Sequence, residues 1–311
     1  MYPASFGTTH PATFGAMSSA TFGTTLEPAT FYMGAAQEEA LARLEWLLEQ
    51  RQRLGLVVAA GGLGKSHLAA MAVRRLGGLG AEAVLVPLRG IGDGNWLEML
   101  LDRIPLDPAS RAEPRHAWQK LDDRLRENTL MERTTALVCD DIDHAPADAV
   151  EGILRLIASP EPRHSRVLVV ATVRPEGLAR LPDDLVRRSV VRIELEPWSS
   201  EAVANFLDLS VRRDGIAAVF SPDAAETIAR LSGGVPRVVC QLAGLAVAAA
   251  AGDGSRRIDA ATVERSWREL SSAGGACPPV DSHPAEPKRT ATERSPQVKL
   301  PHVKAVRRLW G

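Results

Sequence analysis

The stretch AAGGLGKSH, residues 59–67, combines closely spaced glycines with a lysine and a hydroxyl side chain. In a tight turn at a helix N-terminus, such a stretch binds phosphate through its backbone N–H groups, while Lys65 contacts the β- and γ-phosphates and Ser66 binds Mg²⁺. An apolar run precedes it and an amphipathic helical pattern follows. We therefore expect these residues to contact a nucleotide: Ala60, Gly61, Gly62, Leu63, Gly64, Lys65, Ser66 and His67.

Ala59 stands where the usual pattern, Gly, four residues, then Gly-Lys-Ser or Gly-Lys-Thr, has its first glycine. That position mainly ends the strand, and alanine is small enough to do so. Gly61, Gly62 and Gly64 lie where the backbone must approach phosphate closely, and all three are present. We therefore expect nucleotide binding to survive the alanine. The alternative is a chance Gly-Lys-Ser in a turn, which the flanking strand and helix patterns disfavour.

Two carboxylates, Asp140 and Asp141, end the apolar run ALVCDD. Asp140 is placed to organise Mg²⁺ together with Ser66, usually through water. Asp141 has the position at which related hydrolases carry a glutamate that polarises the attacking water. Because aspartate is one methylene shorter, we expect either slow hydrolysis or nucleotide binding alone. The alternative is a strand-end turn whose aspartates cap a helix.

Four further residues are candidates for the chemistry at the γ-phosphate. Thr172 ends the fourth apolar run, which we expect beside the loop-bearing strand, and its hydroxyl is predicted to orient the water. Arg187 and Arg188 precede the fifth run, where an arginine can reach the nucleotide of a neighbouring subunit. Arg237 follows Pro236 in the first turn of a helix, against the helix dipole, which favours a reach back to the γ-phosphate. The alternative roles are an ordinary strand threonine and solvated or salt-bridged arginines.

Apolar runs and helical patterns alternate up to Pro197. The expected strands are residues 54–60, 81–88, 134–141, 165–173 and 189–197. This order predicts an α/β fold, a P-loop NTPase parallel sheet of five strands with helices on both faces, because the strands are apolar throughout. After Pro197 the remaining patterns are helical, which predicts a small all-α helical lid domain.

The chain divides into four expected segments. Residues 1–33 repeat ATFG-like units rich in Ser, Thr and Gly, which predicts a disordered repeat tail or a repeated docking motif. Residues 34–197 form the P-loop ATPase α/β domain, and residues 198–271 form the helical lid domain. Residues 272–311 are rich in Pro and Ser and basic, which predicts a disordered basic tail that ends in VKAVRRLWG, a short helix or docking motif.

Composition excludes several classes of protein. The net charge of −1 gives no global argument for nucleic acid, so that direct DNA binding would depend on the basic residues 288–308 alone. The three cysteines lie far apart, which argues against a disulfide framework and a zinc site. We find no secretory signal and no apolar run of the roughly 18–20 residues that a spanning helix needs. The expected location is therefore cytoplasmic, without a membrane span.

Together these motifs resemble those of the AAA+ ATPases, specifically the ExeA-like (GspA) group and the transposition-helper ATPases. The resemblance covers residues 29–271 and rests on AAGGLGKS, VCDD, VVATVRPEGL and LSGGVPR in the family's order. It implies an ATP- and Mg²⁺-dependent oligomer with ATP at the subunit interfaces. The family's functional positions fall on residues named above: the Walker A pair on Lys65 and Ser66, the Walker B pair on Asp140 and Asp141, sensor 1 on Thr172 and sensor 2 on Arg237.

The chain departs from the family at Ala59 and Asp141. The secretion-pathway members also carry a transmembrane helix and a peptidoglycan-binding domain after the ATPase, and we find neither. We therefore expect a cytoplasmic ATPase, a motor or assembly factor with an unknown protein client. One alternative is a slow nucleotide-gated switch or adaptor, similar to the NB-ARC signalling proteins, or a DNA-binding scaffold. Another is a small-molecule kinase, which would need an arginine-rich lid.

Overall fold

The computed structural model describes residues 32–106 and 116–272. The predicted repeat tail, apart from its last two residues, lies outside this part of the chain. So do residues 273–311, which contain Cys277, the basic cluster and the VKAVRRLWG segment. The predictions for those segments therefore stay predictions.

The helices and strands of the described ranges, in chain order, are α1 (Ala35–Glu49), β1 (Leu54–Val58), α2 (Lys65–Gly78), β2 (Glu82–Pro87), α3 (Trp96–Arg103), α4 (Ala117–Leu130), β3 (Thr135–Asp140), α5 (Ala147–Ala158), β4 (Val167–Val173), α6 (Asp183–Arg188), β5 (Val191–Glu194), α7 (Ser200–Arg213), β6 (Val219–Phe220), α8 (Pro222–Ser232), α9 (Pro236–Gly252), β7 (Arg257–Ile258) and α10 (Ala260–Ser272).

Strands β1 to β5 form one parallel sheet in the order β2-β3-β4-β1-β5. The five strands expected from the sequence all form, and β4 lies beside β1 as predicted. Val58 pairs with Val173 at the end of this neighbouring pair. Because all the strands run in one direction, the segments that follow β1, β2, β3 and β4 leave the same edge of the sheet.

Helices cover both faces of the sheet. Leu54 and Leu56 of β1 pack on the face that α3, α4 and α5 cover. Val57 lies on the opposite face, against α1 and α2. Successive side chains of a strand point to opposite faces, so a sheet that is covered on both faces requires apolar residues at every position. This is why β1, β3 and β4 are almost continuously apolar. The expectation is wrong for the edge strand β5, in which Arg192 and Glu194 are exposed.

The helices α7 to α10 pack around their own core, which includes Val203, Leu242 and Val263. Four helices were predicted here, and all four form. Strands β6 and β7 were not predicted, and they pair in parallel over two residues each. Two residues are too short to show a period, so no alternation marks them. Within residues 32–106 and 116–272, the structure has no helix long and apolar enough to cross a membrane.

Candidate nucleotide site

The predicted phosphate loop connects β1 to α2 and has the backbone of a tight turn. Gly62 and Gly64 have φ angles of +85° and +92°, a conformation that side chains of L-residues rarely adopt. Gly64 directly precedes α2, which begins at Lys65. The first N–H groups of a helix have no acceptor within the helix, and the helix dipole places positive charge there. The loop therefore presents backbone donors suited to an anion.

Lys65 is buried at the start of α2, and its ammonium lies inside the loop. Nζ donates to the carbonyl oxygens of Ala59, at 2.8 Å, and Ala60, at 3.1 Å. Burial lowers the pKa of Lys65, and nearby carboxylates, that of Asp141 first, act in the opposite direction. Because an ammonium has three donors, one remains for a phosphate oxygen.

Ala59 fits its position without strain. Among the described residues other than glycine, a positive φ occurs only at Arg51, Glu132 and Asp141, so Ala59 has a φ that any residue adopts. Its side chain is 2% exposed and packs in the core between the sheet and helices α1 and α2. The conformational freedom of glycine is therefore not needed at the first position of this loop.

Thr172 connects the carboxylate of Asp140 to the backbone of Asp141 at the end of β3. Its hydroxyl donates to Asp140 Oδ1 at 2.5 Å and accepts from the backbone N–H of Asp141 at 2.8 Å. Thr172 is 1% exposed and does not line the cavity described below. The structure thus shows Thr172 bonded to the side chain of Asp140 and to the backbone of Asp141, and its predicted contact with the attacking water stays a prediction.

Asp141 lies in the left-handed region, with φ 56° and ψ 53°, and its side chain lines the cavity. Aspartate tolerates this region better than most residues. Nε of Arg89, two residues after β2, lies 3.9 Å from Asp141 Oδ2. Arg89 also makes a hydrogen bond with His144 at 3.0 Å. The predicted base therefore lies next to a guanidinium group.

The first turn of α9 contacts the phosphate loop directly. The backbone N–H of Arg237 donates to the carbonyl oxygen of Gly62 at 3.2 Å. A Cβ at Gly62 would lie 3.0 Å from Val235 and 3.3 Å from the Cβ of Arg237. Within the described residues, no carboxylate lies within ion-pair distance of the Arg237 guanidinium, which lines the cavity. The structure thus brings Arg237 to the predicted phosphate site.

A cavity of about 320 Å³ lies between the loop, the sheet edge and the helical region. This volume is within the usual range of small-molecule sites. Its lining includes Lys65, Ser66, Asp141 and Arg237. Three aromatic rings complete it: Tyr32 and Phe206 each pack against Trp198, with centroids 5.0 Å apart in both pairs. The Trp198 Nε1 donor is buried without a partner.

The remaining loop residues of the prediction also have defined positions. Gly61, Gly62, Leu63, Gly64 and His67 line the cavity. Ala60 does not line it and instead accepts from Lys65 through its carbonyl oxygen.

Arg187 and Arg188, at the end of α6, are not brought into this cavity. Their side chains are 77% and 44% exposed, and they pair along the helix with Asp183 and Asp184. Neither arginine lines the cavity. If these arginines contact a nucleotide, it must therefore be the nucleotide of a second copy of the chain.

Sequence reasoning missed Arg89 and Arg174, which line the cavity after β2 and β4. A signal was present, since both arginines closely follow apolar strands that end at the same edge as Asp140. Tyr32 and Trp198 were not predicted to line the site either. Their signal is weaker, because an aromatic residue in a connecting segment more often packs in a core than binds a ligand.

The residues present fit Mg²⁺ bound with few protein ligands. Within the described residues, no group of three or more His, Cys, Asp or Glu side chains is placed to hold a metal ion. Mg²⁺ usually keeps several waters and takes one or two protein ligands together with phosphate oxygens. Ser66 lines the cavity, and Asp140 uses only its Oδ1 in the hydrogen bond with Thr172. Asp140 itself does not line the cavity, so its second oxygen would contact the metal only through a bound water.

No protein-family model matches this chain. General secretion pathway protein A of Aeromonas hydrophila is 25% identical over 237 residues, which cover 74% of this chain and 43% of that protein. The chain thus spans less than half the length of this curated relative.

Several solved structures share the fold. The ORC2 protein of Aeropyrum pernix, in ADPNP–ADP complexes, has a TM-score of 0.61 and 16% identity, covering 81% of this chain and 72% of its own. Cdc6p of Pyrobaculum aerophilum has a TM-score of 0.63 and 17% identity, covering 81% and 71%. The RuvB Holliday junction branch migration motor of Thermotoga maritima has a TM-score of 0.54 and 19% identity, covering 76% and 70%. This chain therefore has the fold of the AAA+ P-loop ATPases and is a distant relative of General secretion pathway protein A.

Proposed function

We propose that this protein binds ATP with Mg²⁺ in the cavity between the sheet edge and the helical lid, and hydrolyses it. One observation carries the proposal: a single cavity is lined by Lys65 and Ser66 of the loop, Asp141 of the sheet edge and Arg237 of the lid. These residues lie up to 172 positions apart in the chain (237 minus 65) and converge only in the fold. Their chemistry is complementary to a nucleotide, its metal ion and an attacking water.

The charges in the cavity support a polyphosphate ligand. Lys65, Arg89, Arg174 and Arg237 line it, against the carboxylate of Asp141. A concave surface with an excess of positive charge attracts anions, and guanidinium groups bind phosphate oxygens with paired N–H donors.

The aromatic residues Tyr32, Trp198 and Phe206 supply the apolar surface that a base requires. A ligand with both an aromatic base and a chain of phosphates therefore fits this lining.

Each side chain then has a role that its contacts permit. The remaining donor of Lys65 and the N–H groups at the start of α2 bind phosphate oxygens. Ser66 and Asp140 would hold Mg²⁺, which reduces the negative charge of the phosphates when it is bound. Asp141 polarises the attacking water, and Arg237 donates to the γ-phosphate from the lid. The backbone N–H of Arg237 also makes a hydrogen bond to Gly62, so a change in the loop on nucleotide binding would reach the lid directly.

Oligomerisation belongs to the same proposal. Arg187 and Arg188 lie outside the cavity of their own chain, so a role in hydrolysis requires the cavity of a second copy. An assembly with shared sites would act as a motor or assembly factor on a protein client, in the cytoplasm as the sequence predicts. DNA is the other partner to test, because RuvB, which shares the fold, is a branch migration motor.

A slow switch or adaptor is the second candidate function, and the position of Arg89 beside Asp141 favours it. Arg89 approaches the carboxylate that would polarise water, and the aspartate is shorter than the glutamate usual at this position. Both features predict slow turnover. A switch would bind nucleotide and change its assembly with little hydrolysis.

The full chain, with and without ATP and Mg²⁺, tests the proposal by fluorescent-nucleotide binding, light scattering and phosphate release in the same samples. Lys65→Ala should weaken binding by at least about tenfold, because it removes a charged hydrogen bond. Lys120→Ala, on α4 and outside the cavity, is the matched control and should change nothing. Assembly with turnover supports the motor, and binding without turnover supports the switch. Absence of nucleotide binding would overturn both.

A further inference from the structure

We propose that Arg174, rather than Thr172, is the residue of β4 that contacts the γ-phosphate, and that it makes the site distinguish ATP from ADP. The inference rests on the proposed function, because it assigns one side chain to the recognition of the third phosphate. It is carried by the hydrogen bonds of Thr172, the position of Arg174 in the sheet and an unpaired donor of its guanidinium group.

The hydroxyl of Thr172 has no donor left for a phosphate. Its single proton goes to Asp140 Oδ1, and its oxygen accepts from the backbone N–H of Asp141. A hydroxyl has one donor, so a contact with phosphate would break the bond that holds Asp140. Thr172 therefore positions the carboxylate of Asp140 and the backbone of Asp141, so a neighbouring residue must make the contact with the ligand.

Arg174 directly follows β4 at the edge where the loop begins. Val173 pairs with Val58, and its carbonyl oxygen accepts from the N–H of Ala59 at 3.1 Å. Arg174 is therefore level with the start of the phosphate loop. Its side chain lines the same cavity as Lys65. Burial lowers the pKa of that lysine, and the charge of Arg174 acts in the same direction.

The guanidinium group of Arg174 is partly buried and incompletely paired. Its Nε is buried without a hydrogen-bond partner. Its ion pair with Glu176 is 3.8 Å long, and the glutamate side chain is 62% exposed. Long ion pairs to exposed carboxylates contribute little, whereas a buried donor without an acceptor is costly. An anion in the cavity would pair with the exposed part of the Arg174 side chain, which is 28% exposed, and would lie between the positive charges of Arg174 and Lys65.

The order of the strands indicates which phosphate Arg174 contacts. β4 lies between β3, which ends in Asp140, and β1, which leads into the loop. Arg174 thus projects between the carboxylate proposed to polarise water and the loop proposed to bind phosphates. The γ-phosphate is the group that must lie between the attacking water and the rest of the nucleotide. A cation at this point contacts the third phosphate of ATP and has no such partner in ADP.

The test compares calorimetric binding of ADP and of ATPγS, both with Mg²⁺, to the full chain and its variants. Arg174→Gln should weaken ATPγS binding by roughly ten- to a hundredfold and ADP binding by less than about threefold. Arg174→Lys should retain part of the preference for ATPγS, because it keeps the charge but not the paired donors. Arg180→Gln is the matched control on an exposed arginine of the turn Pro175–Arg180, and it should leave both affinities unchanged.

The following results would overturn the inference. An equal loss of ADP and ATPγS affinity in Arg174→Gln would place Arg174 on another phosphate, and no loss would remove it from the site. If Arg174→Gln melts below the assay temperature, Arg174→Lys decides, and wild-type affinities for both nucleotides would count against the contact. A wild-type chain that binds neither nucleotide overturns the proposed function itself. If the wild-type chain binds both nucleotides and Arg174→Gln keeps the wild-type preference for ATPγS over ADP, only the role of Arg174 is overturned.

Discussion

The two walls of the cavity are built in different ways. The loop wall, residues 59–67, is one continuous stretch whose shape follows from glycines with positive φ at Gly62 and Gly64. The strand-end wall combines side chains that follow three different strands, among them Asp141 and Arg174. Local backbone geometry determines the first wall, while hydrogen bonds between distant residues determine the second. Changes in the loop wall should therefore affect all nucleotide binding, whereas changes in the strand-end wall should separate binding from turnover.

The largest expected effect is on turnover and lies in the strand-end wall. Asp141→Asn should lower ATP hydrolysis by about 10²–10⁴-fold, because the amide cannot accept a proton from water. ATP binding should remain, since asparagine also tolerates the left-handed backbone at this position. Phosphate release and nucleotide affinity are measured on the same protein.

Asp208→Asn, on the surface of α7 in an ion pair with Arg212, is the control for this charge change and should keep full activity. An unchanged rate in Asp141→Asn would show that the base is elsewhere and that the two walls do not divide their roles as proposed.

The next largest effect is on nucleotide affinity and concerns two neighbouring glycines in the loop wall. Gly62→Ala should weaken both ADP and ATP binding by roughly 5- to 30-fold, since a left-handed alanine costs about 1–2 kcal/mol. The added methyl group would also lie 3.0 Å from Val235. Gly61→Ala is the comparison variant in the same wall and should lose less affinity, because Gly61 has no positive φ and a Cβ there meets no protein atom within 4 Å. Equal losses in the two variants would mean that the glycine conformation does not determine this wall.

Thr172 tests how the strand-end wall is held together. Thr172→Val removes the hydroxyl that joins Asp140 to the backbone of Asp141 and should lower the free energy of unfolding by about 1–3 kcal/mol. Turnover should fall with it, because the carboxylates lose their orientation. Thr172→Ser keeps the hydroxyl and should retain most of the activity. Urea unfolding and phosphate release measure the two effects, and an active, fully stable Thr172→Val would contradict the positioning role.

The same contrast explains what the sequence alone could predict. The five strands and the glycine loop were recognisable because burial on both faces and a tight turn each restrict the residue types along a short stretch. The partner of Thr172 was not recognisable, because Asp140 is 32 residues away and any polar atom at the sheet edge could have taken its hydroxyl. Arg174 was overlooked for the same reason. An apolar run predicts where a strand ends, but not which of the following side chains enters a cavity.

The smallest expected effect is at Ala59, where the loop departs from the usual pattern. Ala59→Gly restores the usual glycine, yet it should lower the free energy of unfolding by about 0.5–1 kcal/mol, because glycine gains entropy in the unfolded chain and leaves a methyl-sized gap in the core. Nucleotide affinity should stay within about twofold, since the Ala59 carbonyl that accepts from Lys65 is unchanged. Denaturant unfolding and nucleotide titration measure the two quantities. A large gain in affinity would contradict the fit of alanine, because it would mean that the methyl group prevents the loop from closing around phosphate.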